Sequence, residues 1–500
     1  MSRYNYDRLT FLDSTFLLTE TPRTPMHVAG VGLFEAGPLK KPDGGLDIDR
    51  IRDYVSSRLH LLPRYRQRIT YVPVENHPVW VDDHHFNIAY HVRHAALPKP
   101  GDLRQLKRIA ARILAQHLDV SKPVWEIWFI EGLENSDHFA MIQKWHHCMV
   151  DGASTVDLLY ILLNKEPVPE FEPAPRWVPR PVPTPGELAR DALLRYAGLP
   201  CEIGRALPRL IGAVGDPKSD TRARLRAIRE TLGAVARGAS QTPLNQPVGP
   251  HRRFDWLAMD LAAVKAVKNR LGGTVNDVVL ATVAGAVRRF LKRRGTNPAT
   301  LDFRVGAPVS MRSETDHGTM GNRVSAWVVP LPLAEDDPVR RLDLIRQTTE
   351  KLKKSHTALG MEAISRVGEW VPSGLLALGA RAAATGVGVN LAVTNVPGPP
   401  MPLYLLGAKM LENYGFIPLA DYLSLGIVLF SYERTLCWGL AADWDLFPDL
   451  HDFVTDIKRA FRELGEAPER SEAQRQLRKV APTAAGPRAT PGRSGARRSG

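Results

Sequence analysis

Five hundred residues are more than one ordinary core organises, and they predict two domains of similar size. The composition is globular and loop-rich (44% apolar, 24% charged, 40 prolines, 39 glycines), which excludes a fibrous or wholly disordered chain. Of the net charge of +13, seven charges (Arg475, Arg478, Lys479, Arg488, Arg493, Arg497 and Arg498) follow Glu472 in a stretch without acids, leaving +6 for the rest. That stretch, rich in Pro, Gly, Ala and Ser, reads as a disordered basic tail over 466–500 and not as a nucleic-acid domain, since no zinc-finger or RNP pattern accompanies it.

The N-terminal residues lack the apolar core of a signal peptide. Asp102 is placed to cap a helix carrying Leu103, Leu106, Ile109, Ala110, Ile113 and Leu118 on one face. Thr70–Val74, Trp125–Ile130 and Phe139–Trp145 read as strands, the first at a sheet edge because of Pro73. Thr155–Leu163 reads as an apolar helix. The three cysteines, Cys148, Cys201 and Cys437, form no paired motif and fit a reducing cytosol.

These elements make a first domain over 1–165. A connector over 166–250 follows, Pro-rich up to Pro185 and then rich in Leu, Ala and Arg. Its basic helical part reads as a solvated face, with an interfacial helix on anionic lipid as the sharper alternative. A second α/β domain over 251–465 opens its clearest helix with Thr274-Val275-Asn276-Asp277, a capping box, and closes it with Arg293, Arg294 and Gly295. Strands are expected at 303–309, 324–331, 389–396, 423–432 and 435–442. The long uncharged stretch Ala382–Ala408 contains Pro397, Pro399, Pro400 and Pro402 and cannot be one continuous membrane helix.

The run His146-His147-Cys148-Met149-Val150-Asp151-Gly152 falls between a strand and a helix, a turn on which a reactive side chain can be held at a sheet edge. Alcohols are poor nucleophiles at neutral pH, and a neutral imidazole can take the hydroxyl proton as the new bond forms. Adjacent extended residues point to opposite faces, so one histidine is expected to do chemistry and the other to support it. Asp151 is placed to hold the turn and Gly152 to let the backbone turn tightly. Zinc is disfavoured, because no third ligand lies at helical spacing and no HExxH occurs. Cys148 reads as a buried bystander, with a thiol nucleophile as the alternative.

His146-His147-x-x-x-Asp151-Gly152 matches the HHxxxDG pattern of CoA-dependent acyltransferases. Phe11–Phe16, Thr24-Pro25-Met26-His27-Val28, Pro123-Val124-Trp125, Asn276-Asp277, Pro308–Arg312, Gly321-Asn322 and Thr394–Pro399 narrow the likeness further. With them the chain resembles the bacterial wax ester synthase/diacylglycerol acyltransferase family over about residues 7 to 464. Val124 replaces the leucine common in the family.

The resemblance implies two chloramphenicol-acetyltransferase-like α/β domains, each a mixed sheet flanked by helices, with an active-site tunnel between them. It makes His147 the proton acceptor, with His146, Asp151 and Gly152 in support. It puts Asn276 near the reacting groups, where it can orient a developing oxyanion. It implies acyl-CoA and diacylglycerol or a fatty alcohol as substrates, with no cofactor and no metal. The expected place is the cytoplasm, peripherally on membrane or lipid bodies. The rival readings are an acyltransferase for another alcohol or amine, and a non-catalytic lipid-surface protein.

Overall fold

A computed structural model describes residues 6–149, 152–197, 238–310, 324–354 and 388–480. Its strands are β1 (Asp7–Arg8), β2 (His27–Glu35), β3 (Gln67–Tyr71), β4 (Pro78–Asp82), β5 (Val92–Ala96), β6 (Trp125–Glu131), β7 (His138–His146), β8 (Arg252–Asp260), β9 (Phe303–Ser310), β10 (Val324–Leu331), β11 (Leu391–Pro397), β12 (Tyr404–Leu405), β13 (Ala408–Phe416), β14 (Leu425–Tyr432) and β15 (Thr435–Asp443). The helices that frame the site are α1 (Phe11–Thr19), α2 (Ile48–Arg58), α3 (Leu103–Ala115), α4 (Gly152–Leu162), α5 (Leu261–Leu271), α6 (Val275–Arg293), α7 (Pro338–Lys354) and α8 (Leu450–Val480). No helix of the described residues is long and apolar enough to cross a membrane.

Two six-stranded mixed sheets carry the fold, in the orders β12-β13-β2-β7-β6-β5 and β10-β9-β11-β14-β15-β8. In the first, only β5–β6 is parallel. In the second, β9, β11 and β14 run parallel and the outer pairs are antiparallel. A small antiparallel sheet, β1-β4-β3, stands apart.

Local chemistry sets the helix ends. The Asp102 carboxylate accepts the Gln105 N–H at 2.7 Å, and the Gln105 amide oxygen accepts the Asp102 N–H at 2.9 Å, so α3 opens with a reciprocal capping box. Its apolar stripe then buries Leu106, Ala110, Ile113 and Leu114. At its other end the buried Lys144 ammonium donates to the carbonyls of Ile113, at 3.0 Å, and Gln116. A cation there satisfies carbonyls that the helix leaves open and favours the dipole. Burial nevertheless pulls the Lys144 ammonium down to about 8.

β12 and β13 belong by sequence to the second half, yet they join the first sheet, where β13 pairs with β2 (Tyr414 opposite Val31, Phe416 opposite Ala29). The two sheets touch where β13 crosses β14 and β15. A Cβ on Gly439 would lie 1.9 Å from the Gly415 carbonyl oxygen, and one on Gly415 would lie 2.4 Å from Val428 Cγ1. Only two glycines allow backbones this close. Gly439→Ala is therefore expected to destabilise the protein by about 3 kcal/mol. Urea unfolding with unchanged m measures the loss, and Gly186→Ala, where a Cβ meets nothing within 4 Å, should lose nothing. Polar contacts close the same junction: Lys107 of α3 pairs with Asp255 of β8, and its ammonium sits 4.7 Å from the Trp256 ring centre.

Two expectations change. The strand expected at Thr70–Val74 ends at Tyr71, because Pro73 has no N–H for a ladder and Val74 turns to φ 68°. The tail expected to be disordered from residue 466 is helical as far as Val480, because α8 runs on through a segment rich in Glu, Gln, Arg and Ala, all good helix formers. Residues 481–500 lie outside the described residues, as do 198–237, on which most of the expected basic helix falls, and Cys201 with them. Residues 167–184 have no regular secondary structure and 185–197 are helical.

His91, 1% exposed, donates from Nδ1 to the Trp125 carbonyl at 2.8 Å and stacks on the Trp125 ring. Burial pushes this imidazole down to about 4. Between that value and the unfolded value of about 6.5, only the unfolded chain takes the proton. Stability from this residue is thus full above pH 6.5 and is lost as pH falls towards 4, by about 3 kcal/mol. Unfolding midpoints at pH 7, 5 and 4 should show a shallower decline for His91→Phe than for the natural protein.

Candidate active site

The site grows from the end of β7. His146 is the last residue of that strand and stands opposite His27 of β2. The ladder continues one step further, with the His147 N–H donating to the Met26 carbonyl at 2.8 Å. The chain then turns, Met149 N–H bonding back to the His146 carbonyl at 2.9 Å, and α4 starts at Gly152. The strand-turn-helix read from the sequence is present. Val150 and Asp151 lie outside the described residues, so the expected role of Asp151 does too.

The two histidines have different surroundings. His147 is half-buried, and its ring lies flat on Phe16 of α1, with centroids 3.8 Å apart and planes at 11°. His146 is 1% exposed. Its Nδ1 accepts the Cys148 N–H at 3.2 Å, which leaves the proton on Nε2. That nitrogen lies 3.5 Å from Glu20 Oε2, an ion-pair distance rather than a formed hydrogen bond. The histidine with access is therefore His147, and the enclosed one is His146.

Cys148 is 3% exposed. Burial, with the carboxylates of Asp13 and Glu20 adding to it, pushes its thiol well above the usual range. A thiolate nucleophile needs the opposite, an electropositive and accessible setting.

Asn276 is the second residue of α6 and is partly buried at the helix N-terminus. Its neighbour Asp277 is structural: one oxygen accepts from the Thr274 N–H and hydroxyl, each at 2.7 Å, and the other accepts from the Thr349 hydroxyl of α7 at 2.7 Å. Among the described residues no hydrogen bond or ion pair joins Asn276 to the histidine turn. Gly398 is architectural, since a Cβ there would lie 2.2 Å from the Ser431 carbonyl. Trp125 is architectural as well: fully buried, it donates from Nε1 to the Tyr65 carbonyl at 2.8 Å.

Sequence reasoning missed Glu20. It follows α1 directly, ahead of Pro22, and nothing local distinguishes it from a solvated helix end. Phe16 was legible only as part of a resemblance, not as the ring under His147.

Residues 9–279 match the wax ester synthase/diacylglycerol acyltransferase catalytic domain, and residues 320–465 match the WS/DGAT C-terminal domain. The chain belongs to the wax ester synthase/diacylglycerol acyltransferase family. It is an acyltransferase of lipid biosynthesis. A Mycobacterium tuberculosis (strain ATCC 25618 / H37Rv) protein, provisionally named a diacylglycerol O-acyltransferase, is 32% identical over 92% of this chain and 90% of its own length. A Mycobacterium bovis protein with the same provisional name is 29% identical over 94% and 98%.

Among solved structures, the wax ester synthase/diacylglycerol acyltransferase of Marinobacter aquaeolei VT8 is 26% identical, with a TM-score of 0.64, covering 92% of this chain and 99% of that one. The starter condensation domain of rhizomide synthetase, solved with C8-CoA and Leu-SNAC, has a TM-score of 0.57 at 12% identity over 92% and 94%, and so shares the fold. The expected two-sheet α/β architecture is thus the architecture of these acyltransferases and condensation domains.

Proposed function

We propose that this enzyme moves the acyl group of an acyl-CoA to the free hydroxyl of diacylglycerol, giving triacylglycerol, and that a long-chain alcohol can replace diacylglycerol to give a wax ester. The observation that carries this is the half-buried His147 at the end of β7, held flat on Phe16 beside a fully enclosed His146. His147 is the general base. It takes the hydroxyl proton as the oxygen attacks the thioester carbon. The tetrahedral oxyanion then collapses, the C–S bond breaks, and the CoA thiolate leaves with the proton that His147 returns.

Asn276, at the positive end of α6, supplies a donor for that oxyanion. Asp151 and Gly152 hold the turn. The transfer is direct: Cys148 is buried with a raised thiol, which speaks against an acyl-enzyme. No cofactor enters, because acyl-CoA is itself the activated substrate. An enzyme joining an amphiphilic acyl thioester to an alcohol dissolved in lipid works at a lipid surface, and we place this one peripherally on the cytoplasmic face of membrane or lipid bodies.

The test offers labelled palmitoyl-CoA with dioleoylglycerol, with hexadecanol or with hexadecylamine, and separates the products by polarity. Labelled triacylglycerol, with or without wax ester, is the expected result. Label only in the amide, or CoA release without a lipid ester, overturns the reading.

A further inference from the structure

The histidine pair rests on one helix. Phe16 of α1 and Glu20, which caps its C-terminal end, are joined by the Glu20 N–H donating to the Phe16 carbonyl at 3.2 Å. Phe16 lies under His147, and Glu20 faces His146.

Glu20 is unusual for a carboxylate at a helix end. Its side chain is 15% exposed and is surrounded by imidazoles. Oε1 accepts the Met26 N–H at 3.1 Å and lies 3.3 Å from His117 Nδ1. His27 Nε2 is 3.5 Å away, but that nitrogen accepts the Leu118 N–H at 3.4 Å and has no proton to give. Burial keeps His27 neutral. His117 Nε2 lies 3.4 Å from the Pro22 carbonyl, so protonated His117 can donate from both nitrogens. The other titratable groups that feel Glu20 are Lys144, Tyr71 and Cys148. Burial works to raise Glu20, but the His146 contact, the neighbouring imidazole of His117 and the Met26 N–H bring it below the ordinary carboxylate value, so it is an anion at neutral pH.

The geometry points to Glu20 as a positioning residue of acyl transfer: it holds His146 in the Nε2–H tautomer, which keeps Nδ1 as the acceptor for the Cys148 N–H and so fixes the turn that presents His147. The same carboxylate sits one helical turn from the ring on which His147 lies, so α1 aligns both histidines together. Losing it frees His146 to rotate or change tautomer, releases the Cys148 N–H, and moves the base off line. Partners of this kind, which orient a functional imidazole from behind, are worth 10- to 100-fold where they have been removed from metal sites. As a residue acting through the histidines, Glu20 bears on the transfer step, so its loss is read in kcat and not in KM.

This inference rests on His147 being the base, and the experiment separates the two. Full-length Glu20→Gln and His147→Ala are compared with the natural protein for kcat, KM, Tm and the pH dependence of kcat/KM. Glu20→Gln is expected to lower kcat by about tenfold at unchanged KM. Removing a negative charge close to the pair also moves the acid limb of kcat/KM to lower pH, by roughly half a unit. Glu20→Asp should recover part of kcat. Natural kcat and an unmoved acid limb in Glu20→Gln, with His147→Ala inactive, overturn the role of Glu20 and leave the base standing. Full activity in His147→Ala overturns the base itself. If Glu20→Gln does not fold, 15N-histidine spectra of the natural protein decide: His146 in the Nε2–H form supports the role, and the Nδ1–H form overturns it.

Discussion

His147→Ala lowers kcat by about 10³-fold while Tm stays within a degree or two. A well-placed general base contributes roughly 10²–10⁴-fold, and with it gone the hydroxyl must lose its proton to water. The stability side follows from position: His147 is half-buried, and its backbone bond to the Met26 carbonyl survives the substitution. The stacked ring contact with Phe16 that goes with the imidazole is worth about 1 kcal/mol. His146→Ala should look different. That ring is enclosed, so its loss opens a cavity, leaves the Cys148 N–H unpaired and lowers Tm together with kcat. Initial rates with labelled palmitoyl-CoA and thermal unfolding separate the two variants. A His147→Ala enzyme with more than a tenth of natural kcat rejects the base assignment. Cys148→Ser is the companion: near-natural turnover excludes a thiol intermediate, and inactivity in a folded protein revives one.

Asn276 and Asp277 are neighbours, yet their variants should fail in opposite ways. Asp277→Ala removes the acceptor of three hydrogen bonds, strips the capping box from α6 and leaves the buried Thr349 hydroxyl with a lost partner. A cap contributes about 1 kcal/mol and each bond to a buried carboxylate more, so a total near 3 kcal/mol is expected. Asn276→Ala keeps the cap and the fold. If its amide stabilises the oxyanion, kcat falls by roughly 10²-fold at natural Tm. Natural kcat in Asn276→Ala removes it from the chemistry, and natural stability in Asp277→Ala contradicts the anchoring role. Urea midpoints and initial rates on the same preparations measure both.

Much of the fold was legible because its signals are local. The capping boxes at Asp102 and Thr274, the Gly295 stop after α6 and the largely apolar strand runs around 303–309, 324–331 and 435–442 depend on neighbours within a few residues. Where a local signal was ambiguous the reading went wrong: Thr70–Val74 has strand-forming side chains, but Pro73 and the left-handed Val74 end it early. β13 carries no strong alternation in Ala408–Phe416, and its partner β2 lies in the other half of the chain, so neither its existence nor its sheet could be read.

By itself the sequence determined the chemistry available: an imidazole pair on a strand-to-helix turn, a helix capped by Thr274 and Asp277, and a set of motifs that together belong to one acyltransferase family. The residue pattern alone left the pair unassigned, because adjacent residues of one type carry the same local information, and the resemblance put the base on His147. What tertiary structure added is the different surroundings of the two rings. β2 placed His27 against His146, α1 brought Phe16 under His147 and Glu20 against His146, and burial closed one ring while leaving the other accessible. These contacts join residues far apart in the chain, and their strength comes from desolvation and geometry, quantities that exist only once the sheets have packed.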